Sequence, residues 1–215
     1  HSELRAYSDA PALFSPHPLF ENFGERVERS EACVRLGLDP ANRYVLFFGL
    51  IRDYKGLDLL LDAWAQLRRA GRTEGRRLIV AGEFYTAREP YLNRIADNGL
   101  QDEVLLHDRF IPDDDVKYYF SAADFVVQPY KTATQSGVTQ IAYQFCVPMV
   151  VTKVGGLAEI VPDGRVGYVC EPTPEGVAGA IERMYEGDTL QRFRENCVEE
   201  RRRFSWEEMC SRITE

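Results

Sequence analysis

Pro129 to Glu159, PYKTATQSGVTQIAYQFCVPMVVTKVGGLAE, is the stretch that decides how this chain folds. It begins where the apolar run Phe125-Val126-Val127 ends, and that run reads as a buried strand. A polar loop from Thr132 to Gly137 follows, after which Val138, Ile141, Ala142 and Phe145 recur at helical spacing. Pro148 stops the helix, and Met149-Val150-Val151 reads as the next buried strand. Strand, glycine-bearing loop, helix and strand make a βαβ unit whose loop lies at the carboxyl end of a strand. Backbone N–H groups in such a loop and in the first helical turn lack intrahelical partners and attract an anion. If the chain has an active site, this is where it belongs.

Upstream, Tyr44 to Gly49 (YVLFFG) has apolar residues on both faces, as a parallel strand covered on both sides requires. After a polar turn from Leu50 to Gly56, Leu57, Leu60, Leu61, Trp64 and Leu67 recur at helical spacing. Leu78 to Gly82 reads as a second strand, Glu89 to Asn98 as a helix ended by Gly99, and Val104 to Leu106 as a third strand. Asp113 to Ala122 is a helix whose acidic first turn suits its dipole. Phe125 to Gln128 is the fourth strand, Met149 to Thr152 the fifth and Val166 to Val169 a short sixth. Helices follow at Pro174 to Tyr185 and Leu190 to Phe204. This alternation implies a doubly wound, Rossmann-like α/β sheet, with ligands bound outside the carboxyl ends of its strands.

Residues 1–43 read differently. His1 to Phe20 carries prolines and no periodicity, Glu25 to Leu36 reads as a short helix, and the chain starts at His1 rather than Met. We expect a connector from something upstream, then a ligand-binding domain over residues 44–188 and C-terminal helices over 189–215.

A net charge of -8 over 215 residues argues against a general nucleic-acid binder, which needs a basic face. Five cysteines without CxxC spacing fit a reducing compartment, and neither they nor the three scattered histidines suggest a metal site. No apolar run approaches the roughly 20 residues that span a bilayer. Arg201-Arg202-Arg203 reads as a solvated helix end, with contact to an anionic membrane as the alternative.

Arg52 and Lys55 follow the first strand three residues apart, so both heads can converge on one diphosphate: Arg52 as a bidentate partner, Lys55 as a point charge. The plainer reading is a solvated turn with two surface cations. For Ser136 the plainer reading is N-capping of the helix that follows.

Several separated segments carry a family resemblance. FFGLIRDYKGLDLLLDAW resembles the "G-R-x-x-x-x-K-G-x-x-x-L-x-x-A" segment of retaining, family 4 glycosyltransferases. DRFIPDDDVKYYFSAADFVVQPY and PMVVTKVGGLAEIVPDGRVGYVCEP resemble two further segments of that family, in the same order. The resemblance covers about Tyr44 to Pro172 and continues weakly to Trp206. It implies the C-terminal, donor-binding half of a two-domain GT-B enzyme that moves a sugar from a UDP, GDP or ADP conjugate to an acceptor held by an N-terminal domain. It implies no metal or other cofactor, a nucleotide sugar as partner, and a cytoplasmic place in polysaccharide biosynthesis, at the inner face of the membrane.

Carried over residue by residue, the resemblance implies diphosphate binding by Gly49, Arg52 and Lys55, although the family's arginine position is Leu50 here. The donor-sugar or phosphate loop is Gln135, Ser136, Gly137 and Val138, and Gln140 takes the ribose. Arg109, Phe110 and Ile111 lie where relatives hold the base through backbone groups and an apolar wall. Gly155, Gly156 and Glu159 match a "G-G-x-x-E" turn near the sugar. Asp124 and the Tyr118-Tyr119-Phe120 run read as structural. The family's two motif glutamates fall on Ala133 and Ile141, so no catalytic carboxylate carries over. That loss also admits a non-catalytic nucleotide-binding module, or a nucleotide-sugar epimerase of the same fold.

Overall fold

The computed structural model describes residues 17–20 and 22–214, with side chains up to 211. Residues 1–16 of the expected lead-in lie outside the described residues. Six strands form one sheet: β1 (Arg43–Phe48), β2 (Arg76–Ala81), β3 (Val104–His107), β4 (Phe125–Gln128), β5 (Met149–Thr152) and β6 (Gly167–Cys170). Their spatial order is β3-β2-β1-β4-β5-β6, and every neighbouring pair is parallel. Helices α1 (Arg29–Leu36), α2 (Leu57–Arg69), α3 (Glu89–Asp97), α4 (Asp113–Ala122) and α5 (Gly137–Gln144) accompany them. The chain continues with α6 (Leu157–Ile160), α7 (Pro174–Met184), α8 (Thr189–Glu200) and α9 (Trp206–Thr214). This is the Rossmann-like, doubly wound parallel sheet that the strand–helix alternation implies.

Side chains that alternate along each strand build two cores. Tyr44, Leu46, Val126, Met149 and Val151 face one core together with residues of α4 and α5. Val45, Phe47, Phe125, Val127 and Val150 face the other, against α2, α3 and α7. Helix α1 and the preceding residues Leu19, Phe20, Phe23 and Val27 pack on the first core, where Ala32 and Cys33 are fully buried.

Several local expectations need correction. Helix α1 starts at Arg29 rather than Glu25, and β2 starts at Arg76 rather than Leu78. Helix α8 does not run to Phe204: it ends at Glu200, and Arg201–Phe204 form a 3-10 turn. Arg201 donates to the Gln144 carbonyl (3.2 Å), and the tightened turn buries Phe204 against Tyr143, ring centroids 4.8 Å apart. Helix α5 is closed before Pro148, by Cys146 in a left-handed conformation (φ 51), while Val147 N–H donates to the Ala142 carbonyl (2.8 Å). Strand β6 starts at Gly167, one residue later than expected.

Trp64 of α2 is fully buried in the second core, and its indole N–H donates to Glu103 (2.9 Å), which also pairs with Arg68. Trp64→Ala should therefore cost about 3–5 kcal/mol through the cavity it leaves. In a thermal melt that is a fall in Tm on the order of 10 °C.

Candidate functional site

Strands β1 and β4 are sheet neighbours, yet β1 leads outward to β2 and β4 outward to β5. Their carboxyl ends therefore diverge and leave a crevice between the two following loops. The loop after β1 is held at Ile51, whose N–H donates to the Glu83 carbonyl (2.7 Å), and it then forms a 3-10 turn over Asp53–Lys55. The loop after β4 is locked against that turn. Lys131 N–H donates to the Tyr54 carbonyl (2.7 Å), and Lys131 Nζ pairs with Asp53 and Asp58, each at 2.9 Å. Gly56 has φ +68, and a Cβ there would stand 1.9 Å from the Pro129 carbonyl oxygen, so only glycine lets the two loops approach this closely.

The crevice holds a cavity of about 360 Å³. Its lining includes Gly49, Lys55, Gln135, Ser136 and Gly137. Lys55 is half-buried there, its ammonium 5.8 Å from the centre of the Tyr130 ring. Gly49 leaves it room: a Cβ at that position would lie 3.0 Å from Nζ. Burial, and secondly repulsion from Arg52, pull the Lys55 pKa from 10.5 down to about 8. Among the described residues no carboxylate offsets that charge. Ser136 sits at the N-cap of α5 with an extended backbone (φ -139), but its side chain makes no cap. Its hydroxyl instead meets the Tyr130 hydroxyl at 3.2 Å, and burial lifts the Tyr130 pKa to about 12. The amides of Gly137 and Val138 thus have no side-chain cap, and both residues line the cavity together with Lys55. A desolvated cation beside an uncapped helix N-terminus is an arrangement that attracts an anion.

Residues 42–187 match the family model described as glycosyl transferases group 1. The chain belongs to that family. It is 34% identical over 191 residues to D-inositol 3-phosphate glycosyltransferase 2 of Catenulispora acidiphila, a match covering 83% of the chain and 44% of the relative. Among solved structures, sucrose-phosphate synthase of Thermosynechococcus elongatus superposes with TM-score 0.82 at 22% identity, over 99% of this chain and 54% of that one. Anabaena HepE in complex with UDP superposes with TM-score 0.70 at 23% identity, over 86% of this chain and 51% of that one. The chain spans less than half the length of the curated group 1 relatives it matches.

Within this group 1 domain the crevice gathers Gly49, Lys55, Gln135, Ser136, Gly137 and Val138. Arg52 is placed elsewhere: it is exposed, lies over the Tyr85 ring (5.3 Å to its centre) and does not line the cavity. Gln140 is 3% exposed, and its Oε1 is buried with no partner among the described residues. Arg109 and Phe110 are exposed after β3, and Ile111 is a core residue; none of the three lines the cavity. Glu159 is exposed. Asp124 works at the other end of the sheet, where it accepts from Tyr44 N–H (3.1 Å) and Arg43 (3.4 Å). Tyr119 and Phe120 are fully buried. No group of three or more His, Cys, Asp or Glu placed to hold a metal occurs among the described residues, and no helix there is long and apolar enough to cross a membrane.

Sequence reasoning missed the aromatic side of the cavity: Phe20, Phe23, Phe48, Tyr54 and Tyr130. Phe20 ends the aperiodic lead-in and Phe23 lies just beyond it, so the available signal was two bulky apolar residues with no helix or strand to bury them.

Gly155 and Gly156 have a bracing role. Gly156 N–H donates to the Thr134 carbonyl (3.3 Å), and a Cβ on Gly155 (φ +50) would fall 1.5 Å from the Ala133 oxygen. Gly155→Ala must displace the loop that leads into α5. It should cost more than about 1 kcal/mol, visible as a drop in Tm of at least about 2–4 °C.

Proposed function

We propose that this chain is the donor-binding half of a retaining, family 4 glycosyltransferase with GT-B architecture. The complete enzyme transfers a sugar from a nucleoside diphosphate to an acceptor held by another domain. The observation that carries this reading is Lys55: an ammonium held in the crevice without a counter-ion, beside the uncapped start of α5. Membership of the group 1 family supports it, as do the UDP-bound HepE structures, which favour a UDP-type donor.

In this reading the diphosphate lies between Lys55 and the amides of Gly137 and Val138. As the bond from the anomeric carbon to the diphosphate oxygen lengthens, negative charge grows on the leaving group and positive charge on the sugar ring. Lys55 and the α5 amides are already oriented toward that negative charge, so they stabilise the transition state more than the ground state. No carboxylate lines the cavity. The chain's contribution is therefore leaving-group stabilisation and positioning rather than nucleophilic or base catalysis. Lys55 takes the place that a divalent cation holds in metal-dependent diphosphate sites, and Arg52 adds its charge from outside the cavity.

Calorimetric titration with UDP, GDP and ADP, with and without magnesium, tests the assignment. Selective, metal-independent binding of one diphosphate is expected, and no binding of any of them would refute the donor site. Lys55→Ala should weaken that binding by about 1–3 kcal/mol without loss of fold; unchanged affinity would remove Lys55 from the site.

The pH dependence has a definite sign. The Lys55 pKa in the free protein is lowered to about 8, and a bound diphosphate favours the protonated form and raises it. Affinity should thus be full below that value. Between about pH 8 and the bound-state pKa it should fall by up to about tenfold per pH unit. Lys55→Ala should flatten the profile over that window.

A further inference from the structure

Tyr130 links the two anion-attracting parts of the crevice. It is 3% exposed and held by three contacts: its carbonyl accepts from the Thr152 hydroxyl (2.6 Å), its ring meets the Tyr54 ring edge to face (centroids 6.0 Å apart), and the Lys55 ammonium lies 5.8 Å from its centre. Its hydroxyl meets the Ser136 hydroxyl at 3.2 Å, and both residues line the cavity together with Lys55, Gly137 and Val138. Ser136 has the extended backbone of an N-cap residue (φ -139, ψ 121), and serine is among the residues that cap most readily. Even so, its side chain makes no cap. The Thr139 N–H donates to the Ser136 carbonyl (3.2 Å), and the Thr139 hydroxyl donates to Gln128 (3.1 Å). The Gly137 and Val138 N–H groups are left without an acceptor among the described residues.

We propose that Tyr130 is a positioning residue: its hydroxyl holds Ser136 away from the N-cap and so keeps the Gly137 and Val138 N–H groups open to the diphosphate. This rests on the donor-site reading above. Without the phenol oxygen, rotation about the Ser136 Cα–Cβ bond turns its hydroxyl to the first turn of α5, and a ligand must displace that cap before it can bind. A serine cap contributes about 1 kcal/mol, which is about fivefold in affinity.

Tyr130→Phe removes only the hydroxyl and keeps the ring against Lys55 and Tyr54. In calorimetric titrations of the chain with UDP, GDP and ADP, Tyr130→Phe should bind the selected diphosphate about fivefold more weakly than the unaltered chain. In a Ser136→Ala background, where no side-chain cap can form, the same change should alter affinity by less than about twofold. Amide hydrogen exchange of the ligand-free chain, followed by NMR, reads the cap without any ligand. The Val138 amide should exchange about fivefold more slowly in Tyr130→Phe than in the unaltered chain, and adding Ser136→Ala should abolish that protection. Unchanged affinity in Tyr130→Phe, an equal loss in both backgrounds, or unchanged exchange at Val138 would each overturn the inference and leave the donor site standing. Failure of the unaltered chain to bind any of the three diphosphates overturns the donor reading and, with it, the role given to the Tyr130 hydroxyl.

Discussion

The crevice depends on how charge is shared between two lysines that lie on either side of it. Lys131 is fully compensated by Asp53 and Asp58, and that triad, with the Lys131 amide on Tyr54, fastens the loop after β4 to the loop after β1. Both of these carboxylates pair with Lys131 rather than with Lys55. Lys55 is left with aromatic and backbone neighbours, an arrangement that costs stability in the free protein because the ammonium has lost water without gaining an anion. A fold selected for stability alone would pair it. The uncapped N-terminus of α5 is a second concession of the same kind, since the Ser136 hydroxyl turns to Tyr130 instead.

Most of the fold was legible because it rests on periodicity. Apolar runs with both faces covered located the sheet, and leucines and Trp64 at helical spacing located α2, because each pattern reflects burial that the element itself imposes. The misses have local causes. Helix α6 is four residues long, too short for any period to register. The break after Glu200 depends on Arg201 finding the Gln144 carbonyl, a partner far away in sequence. Cys146 ends α5 in a left-handed conformation that composition would assign to glycine.

The candidate site divides along the same line. Lys55 and the segment from Gln135 to Val138 were legible because a loop after a buried strand and before a helix must lie at the sheet's carboxyl edge. The inward turn of Gln140 and the outward stacking of Arg52 on Tyr85 were not, since side-chain direction depends on neighbours from other segments. Phe20 and Phe23 belong to no repeating pattern, so their place in the cavity follows only from the folded chain.

The two ends of the sheet carry different duties. Asp124 and its partners Tyr44 and Arg43 close the amino edge with satisfied hydrogen bonds, while the carboxyl edge keeps an ammonium whose pKa is lowered to about 8. Occupancy of the crevice is thereby tied to a proton. On the proposed donor reading, each diphosphate that enters under mildly alkaline conditions draws a fraction of a proton from the solvent, and each one that leaves returns it. The heat of association then includes the ionisation of whatever buffer supplies that proton, so the enthalpy belongs to the medium as well as to the protein.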